Sequence, residues 1–460
     1  MPPNPLSRDY IVINSQMSPS GFPVIASTRS LPHKTLKIFV FVLCICGFLY
    51  QTSAFLRLYI AYPTMVDIQI ENPDVVELPA ISLCNSNRIR RKALCTRMPN
   101  DCAWYANRSL FCFALPKFCI GWQTSDTDTV LGIPDVRKSA HINRSVEFTQ
   151  EFGQRPKDLI AGCVVRTDTT VLCKNFIPVP AVNSDGYLNY CVAVESLWGQ
   201  PNAQVKELPI TGQISLMLTL HPEDYINYFE LVQAHIFAHD AHSIANPMKD
   251  GITLEAGKTY DIFVNQRVTV RLPAPYETNC TDYLKLWKEN GGYGPLTGKT
   301  CVEKCKMESM MQSTGCVAHS ISYPNNYTIC ENKNSFPSNM IRQRCLLECS
   351  ESCREVSYIL RSEVKSDQSE KCKEDLNCKK KDMFLNFIFN RLELEKFVHK
   401  PRYESVEMFS YIGGYMGMWL GISLIALFDF LETLAYLLLY LGKGKRRVRK
   451  NAVHQNIYDI

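Results

Sequence analysis

The chain has 460 residues, 46% of them hydrophobic, with a net charge of +5. That length supports a large folded core with subdomains, while so polar a composition excludes a many-span transporter. The positive surplus is gathered in Lys443, Lys445, Arg446, Arg447, Arg449 and Lys450, where it reads as a cytoplasmic flank of an apolar stretch rather than a nucleic-acid surface.

Residues 1–36 are polar and loop-like, with Pro2, Pro3, Pro5, Pro23 and Pro32. Ile38 to Leu56 then runs for 19 residues without a charge, and residues 37–61 are predicted as a first membrane helix. The run starts too deep for a signal peptide and lacks a small-residue cleavage site. Arg29, Lys34 and Lys37 precede it, which places the N-terminal segment in the cytoplasm.

Residues 62–407 are predicted as one extracellular domain. Of the 20 cysteines, Cys44 and Cys46 fall in the first apolar run, and the other 18 lie from Cys84 to Cys378. Such a set between two apolar stretches points to an oxidised, extracellular compartment. Asn107, Asn143 and Asn326 open glycosylation sequons in the same region; Asn279-Cys-Thr281 also fits, beside a cysteine expected to be bridged. Strands are predicted at Met65–Ile70, Ile214–Leu220, Leu231–Phe237, Tyr260–Leu272 and Phe384–Leu394, and helical spacing around Cys301–Met311. The mixture is α+β, a sheet core with a separate disulfide-stapled helical region.

His235, His239 and His242 read as ordinary surface histidines, the first in a strand and the others in a loop. Cys301 and Cys305, and Cys345, Cys349 and Cys353, are spaced by four, which sets thiols on one face of a helix. Two such rails suggest a ladder of Cys280 with Cys353, Cys301 with Cys349 and Cys305 with Cys345. No paired histidine stands in register for zinc, so no metal or cofactor is expected.

The second apolar stretch, Met408 to Leu441, runs 34 residues, about 51 Å as a straight helix against a hydrocarbon core of about 30 Å. It must project from the bilayer, tilt or break. Gly413, Gly417 and Gly421 recur every four residues; this stripe suits close helix packing or a constriction lined by backbone. Asp429 and Glu432 lie one turn apart near its end, and acids at that depth usually face water or a partner. Residues 408–441 therefore read as a pore-lining second membrane helix. Residues 442–460 form a cytoplasmic tail whose last residues, Ile457 to Ile460, read as free chain.

Several motifs in order resemble the degenerin/epithelial sodium channel superfamily, which includes acid-sensing and peptide-gated channels. Leu78-Pro-Ala-Ile-Ser-Leu-Cys84-Asn85 resembles the family's strand after the first span. Asp158 to Cys163 and Gly186 to Cys191 resemble paired cysteine blocks. Arg271-Leu-Pro-Ala-Pro-Tyr276 through Cys280 resembles the start of the thumb, and Cys345-x3-Cys349-x3-Cys353 its cysteine block. Gly413-Gly414 through Gly417-Met-Trp-Leu-Gly421-Ile-Ser423 resembles the second membrane helix and is the most specific of the set.

The resemblance implies two membrane helices flanking a disulfide-rich ectodomain of palm, β-ball, knuckle, finger and thumb. It implies a plasma-membrane homo- or heterotrimer with related subunits, conducting sodium ions through the bilayer, with an extracellular peptide or proton as candidate ligand. Gly421, Ile422 and Ser423 would form the selectivity filter, with Ser410, Gly413, Gly417, Asp429 and Glu432 lining the pore. Gly21, Tyr62 and Tyr276 would serve gating, the two tyrosines through an aromatic contact. Cys84 would pair with Cys191, Cys163 with Cys173 and Cys316 with Cys330, while Cys95, Cys102, Cys112 and Cys119 would staple a finger-like insertion. The partners of those four, and of Cys372 and Cys378, stay open.

Three residues depart from the family pattern. Ile422 replaces a small residue at the filter, Ser20 stands where a histidine precedes Gly21, and Tyr411 replaces an acid beside Ser410. No nucleophile–base pair or phosphate loop points to an enzyme. The rival readings are another two-span ligand-gated channel, which would want a lysine-rich phosphate site, and a non-conducting receptor, which would need neither glycine ladder nor buried acids.

Overall fold

The computed structural model describes residues 31–119, 122, 129–135, 146–183, 186–330, 336–367, 381–389, 394–423 and 428. The chain divides into two compact units, Met1–Met65 with Pro401–Ile460, and Val66–Lys400. The helices used below are α1 (Leu31–Ile60), α2 (Arg108–Ala114), α3 (Gly298–Thr314), α4 (Asn339–Glu348) and α5 (Ser405–Leu420).

In the smaller unit, α1 is the one helix among the described residues that is long and apolar enough to cross a membrane. Pro32 falls in its first turn, where a missing N–H is tolerated. Its exit is abrupt: Tyr62 takes φ +48°, its N–H bonds Tyr59 O at 3.1 Å, and Pro63 blocks further helix. Arg402 N–H donates to Pro63 O at 3.0 Å, so the chain returns beside this exit just before α5.

The larger unit is built on a 13-stranded sheet. Its strands are β1 (Thr64–Glu71), β2 (Ala80–Asn85), β3 (Ile160–Arg166), β4 (Thr170–Leu172), β5 (Ile177–Val182), β6 (Leu188–Val194) and β7 (Gln213–Thr219). They continue with β8 (Gln233–His239), β9 (Ile252–Glu255), β10 (Lys258–Val270), β11 (Arg354–Asp367), β12 (Asp382–Ile388) and β13 (Leu394–Pro401). The order is β4-β3-β7-β12-β10-β11-β8-β2-β6-β5, with β9 on β8 and β13 joining β10 to β1. Most pairs are antiparallel; β10 runs parallel to β12 and β13.

Strand alternation generates the core. Leu216 stands opposite Leu385 on one side and Cys163 on the other, and Ile81, Leu83, Ile236, Ile262, Val264 and Phe387 fill the same apolar cluster. At the end of β2 the buried Asn85 ties several elements together. Its Nδ2 donates to Leu220 O at 3.0 Å, its Oδ1 accepts from Tyr225 Oη at 2.6 Å, and its backbone O accepts from Asn189 Nδ2 at 3.3 Å.

Thr297 caps α3 by accepting from Thr300 N–H, and Gly315 closes it at φ +72°. Met307 and Met310 bury one side of α3 against Val317, Ile321 and Tyr323. Bridges join Cys301 to Cys349 and Cys305 to Cys345 across α3 and α4, and Cys280 to Cys353 at their base. Cys84–Cys191, Cys163–Cys173 and Cys316–Cys330 are also joined, as are Cys95–Cys102 and Cys112–Cys119.

Several expectations need correction. The second thiol rail is not one helix: α4 ends at Glu348, Cys349 N–H caps back to Cys345 O, and Cys353 N–H pairs with Thr281 O as the chain turns into β11. The strand expected over Phe384–Leu394 begins at Asp382 and ends at Ile388, and β13 is a separate strand. The polar β11 was not anticipated, because one face is open and its mostly polar sequence hides the alternation. His239 belongs to β8 rather than a loop, and both His239 and His242 are buried.

Candidate functional site

Of the residues singled out as pore and filter, those described lie on α5 or directly after it. The helix begins where Glu404 N–H donates to Glu407 Oε2 at 3.1 Å, a reciprocal start typical of helix N-termini. It runs 16 residues to Leu420. At about 100° per residue, its side chains sort into two stripes about 150° apart.

One stripe is aromatic and faces α1. Phe55, 6% exposed, packs on Tyr411 (ring centroids 4.8 Å apart) and Tyr415 (6.4 Å), with Tyr403 at 5.4 Å. Two turns further along α5, Trp419 Nε1 donates to Gln51 Oε1 at 2.7 Å. A methyl group on Gly47 would lie 2.7 Å from the Trp419 ring, so the indole occupies the space that glycine leaves.

The other stripe is small. Ser410 is exposed, with its Oγ donating to Val406 O at 3.2 Å. A methyl group placed on Gly413, Gly414 or Gly417 would meet no neighbouring atom within 4 Å among the described residues. The helix stops where this stripe reaches Gly421, which adopts φ +63° and donates its N–H to Gly417 O at 3.1 Å. Glycine takes that left-handed conformation without steric penalty. Ile422 and Ser423 continue outside helical geometry, Ile422 half-buried and Ser423 exposed. The structure thus gathers Ser410, Gly413, Gly417 and Gly421 on one side of one helix and ends that helix at the expected filter.

Gly21, Asp429 and Glu432 lie outside the described residues, as does Asn143. Tyr62 and Tyr276 belong to different units. Asn107 and Asn326 are exposed, and Asn107 is the N-cap of α2, its Oδ1 accepting from Leu110 N–H at 2.8 Å. His239 Nε2 bonds Ser82 Oγ at 2.8 Å, while Nδ1 faces Asp240 O at 3.0 Å and Ser243 Oγ at 3.1 Å. Burial pushes its pKa down to about 4, so it is neutral at physiological pH. Among the described residues no three metal-ligating side chains converge.

Sequence reasoning did not single out Gly47, Gln51 and Phe55. Their signal is a four-residue recurrence matching Tyr411, Tyr415 and Trp419, which sets each trio on one helix face.

Residues 15–433 match the family model described as amiloride-sensitive sodium channel. The chain is 23% identical over 259 residues to the epithelial sodium channel subunit beta of Bos taurus, covering 48% of this chain and 39% of that one. It is 23% identical over 270 residues to degenerin mec-10 of Caenorhabditis elegans, covering 53% and 37%. Its matches thus span under half the length of these relatives. A cryo-EM structure of a proton-activated chloride channel aligns at 9% identity with a TM-score of 0.31, covering 88% of this chain and 98% of that one, a likeness too low to carry an argument.

Proposed function

Since the chain belongs to the amiloride-sensitive sodium channel family, a family of ion channels and not of enzymes, we propose that it is one subunit of a trimeric, sodium-permeable cation channel. It would sit in the plasma membrane, with α1 and the stretch beginning in α5 as its two spans and both termini cytoplasmic. Two relatives are a channel subunit and a degenerin by name, which supports assembly with like or related chains.

The observation that carries this reading is the two-sided α5. Its aromatic stripe is used up on α1, and its small stripe meets open space and ends at a helix break. In a bilayer, non-helical backbone is tolerated only where it is buried in protein or lines water. Three copies placed with the small stripe inward would satisfy that condition. Gly421, Ile422 and Ser423 would then present backbone oxygens to a partly dehydrated cation, with Asp429 and Glu432 concentrating cations beyond them. Gating would involve Tyr276 of the larger unit together with Tyr62 and Gly21 of the smaller one as its proposed levers, with an extracellular peptide or protons as the proposed stimulus.

Enlarging Ser410 tests the reading. A phenylalanine there would crowd the small stripe against its neighbours in the trimer and hold the path open. Ser410→Phe, expressed with related subunits, is expected to give a standing inward sodium current under voltage clamp. Surface delivery without current at any holding potential would favour the non-conducting receptor instead.

A further inference from the structure

We infer that Gln51 is a positioning residue of the ion path: by holding the Trp419 indole, it sets the rotation of α5 just before the helix breaks at Gly421. The inference rests on the channel reading above.

Two independent features meet at this point. The first is polar: Trp419 Nε1 donates to Gln51 Oε1 at 2.7 Å, both residues lying in apolar sequence. In hydrocarbon neither group can exchange that partner for water, so breaking the bond strands a donor and an acceptor. The second is steric: Gly47, one turn before Gln51, leaves the gap that the indole ring fills, and any Cβ there would collide with it. The gap fixes where the ring lies, and the hydrogen bond fixes which edge of the ring faces α1.

Trp419 stands two residues before Gly421, whose N–H bonds Gly417 O to close the last turn. Turning α5 by one residue, about 100°, would lose both the bond and the gap. The direction in which Gly421, Ile422 and Ser423 leave the helix is therefore set from α1, a segment that need not touch an ion. Phe55 against Tyr411 and Tyr415 anchors the opposite end of the same face, but apolar ring contacts alone permit slippage that a directed hydrogen bond does not.

The test uses the full-length chain in the Ser410→Phe background, with related subunits present, and reads the sodium-to-potassium permeability ratio from reversal potentials. Gln51→Leu is expected to lower that ratio about threefold, the population change that a bilayer hydrogen bond of this kind controls. Trp419→Phe loses the donor together with the outer indole ring that fills the Gly47 gap, so it should lower the ratio at least as much as Gln51→Leu, and the double variant no more than Trp419→Phe alone. Gly47→Ala, with Gln51 intact, should displace the indole and shift the ratio in the same direction. If Gln51→Leu only lowers the amount of channel at the surface while the remaining current keeps its ratio, the residue is merely structural and the inference is overturned. Additive effects of Gln51→Leu and Trp419→Phe would overturn it as well. Absence of current in the Ser410→Phe parent despite surface delivery would remove the channel reading itself, and this inference with it.

Discussion

At His239, burial has a sign that can be checked. Its imidazole is held neutral by full enclosure, with its pKa down at about 4, against about 6.5 in an unfolded chain. Between those two values the unfolded chain takes up a proton that the folded chain refuses. Its contribution is therefore intact above about pH 6.5 and is lost as pH falls toward about 4. His239→Gln removes the titrating group, so the melting temperature of the variant should decline less than that of the parent across this window. Equal declines in paired melts of the two chains would show that the histidine is solvated in the folded state. Arg91 shows the limit of reading residues singly. In Arg90-Arg91-Lys92 it resembles a solvated basic run, yet it is fully buried, donating to Glu223 O, Val130 O and Gly132 O over the rings of Phe111 and Phe118. Its acceptors are backbone oxygens far along the chain, and no local pattern announces them.

Among the elements, the bridged pair α3 and α4 makes the sharpest prediction. Cys305–Cys345 spans 40 residues, but with Cys301–Cys349 intact beside it the ring it adds is about ten residues, a constraint worth about 3 kcal/mol in the chain-entropy model. Cys305→Ser with Cys345→Ser should therefore lower the thermal midpoint of the larger unit by about five degrees without changing its strand content by circular dichroism. A midpoint within a degree of the parent would mean that α3 and α4 without this bridge keep their compactness in the unfolded chain. Cys301, Cys305 and Cys345 were legible because four-residue spacing is a helical signature, whereas the same spacing carried Cys349 and Cys353 past the end of α4. Strands with one apolar face, such as β1 and β7, were legible for the same kind of reason. β11 was not, since most of its 14 residues face outward and its register is dictated by β10 rather than by its own pattern. Within α5, the glycine stripe could be read from sequence, but the aromatic stripe could not be assigned a partner. Gly47, Gln51 and Phe55 look like ordinary members of an apolar run until α1 and α5 are laid side by side.

For the whole molecule, the proposed topology puts the larger unit outside the cell, where its exposed sequons can meet the glycosylation machinery. Ser109→Ala and Thr328→Ala should each remove one sugar chain, seen as a step in gel mobility that disappears after enzymatic deglycosylation. No step for either variant would place this unit on the cytoplasmic side and reverse the orientation of both spans. The hydroxyl residues are chosen over the asparagines because of what Asn107 does in the fold. A sugar attaches through its amide nitrogen, whereas the turn of α2 is started by its amide oxygen. Carbohydrate and helix thus draw on opposite ends of one amide, and a glycan can be added there without unpicking the peptide beneath it. Replacing Asn107 itself would remove both at once, at about 1 kcal/mol for the lost cap, and a folding defect could then pass for a missing sugar.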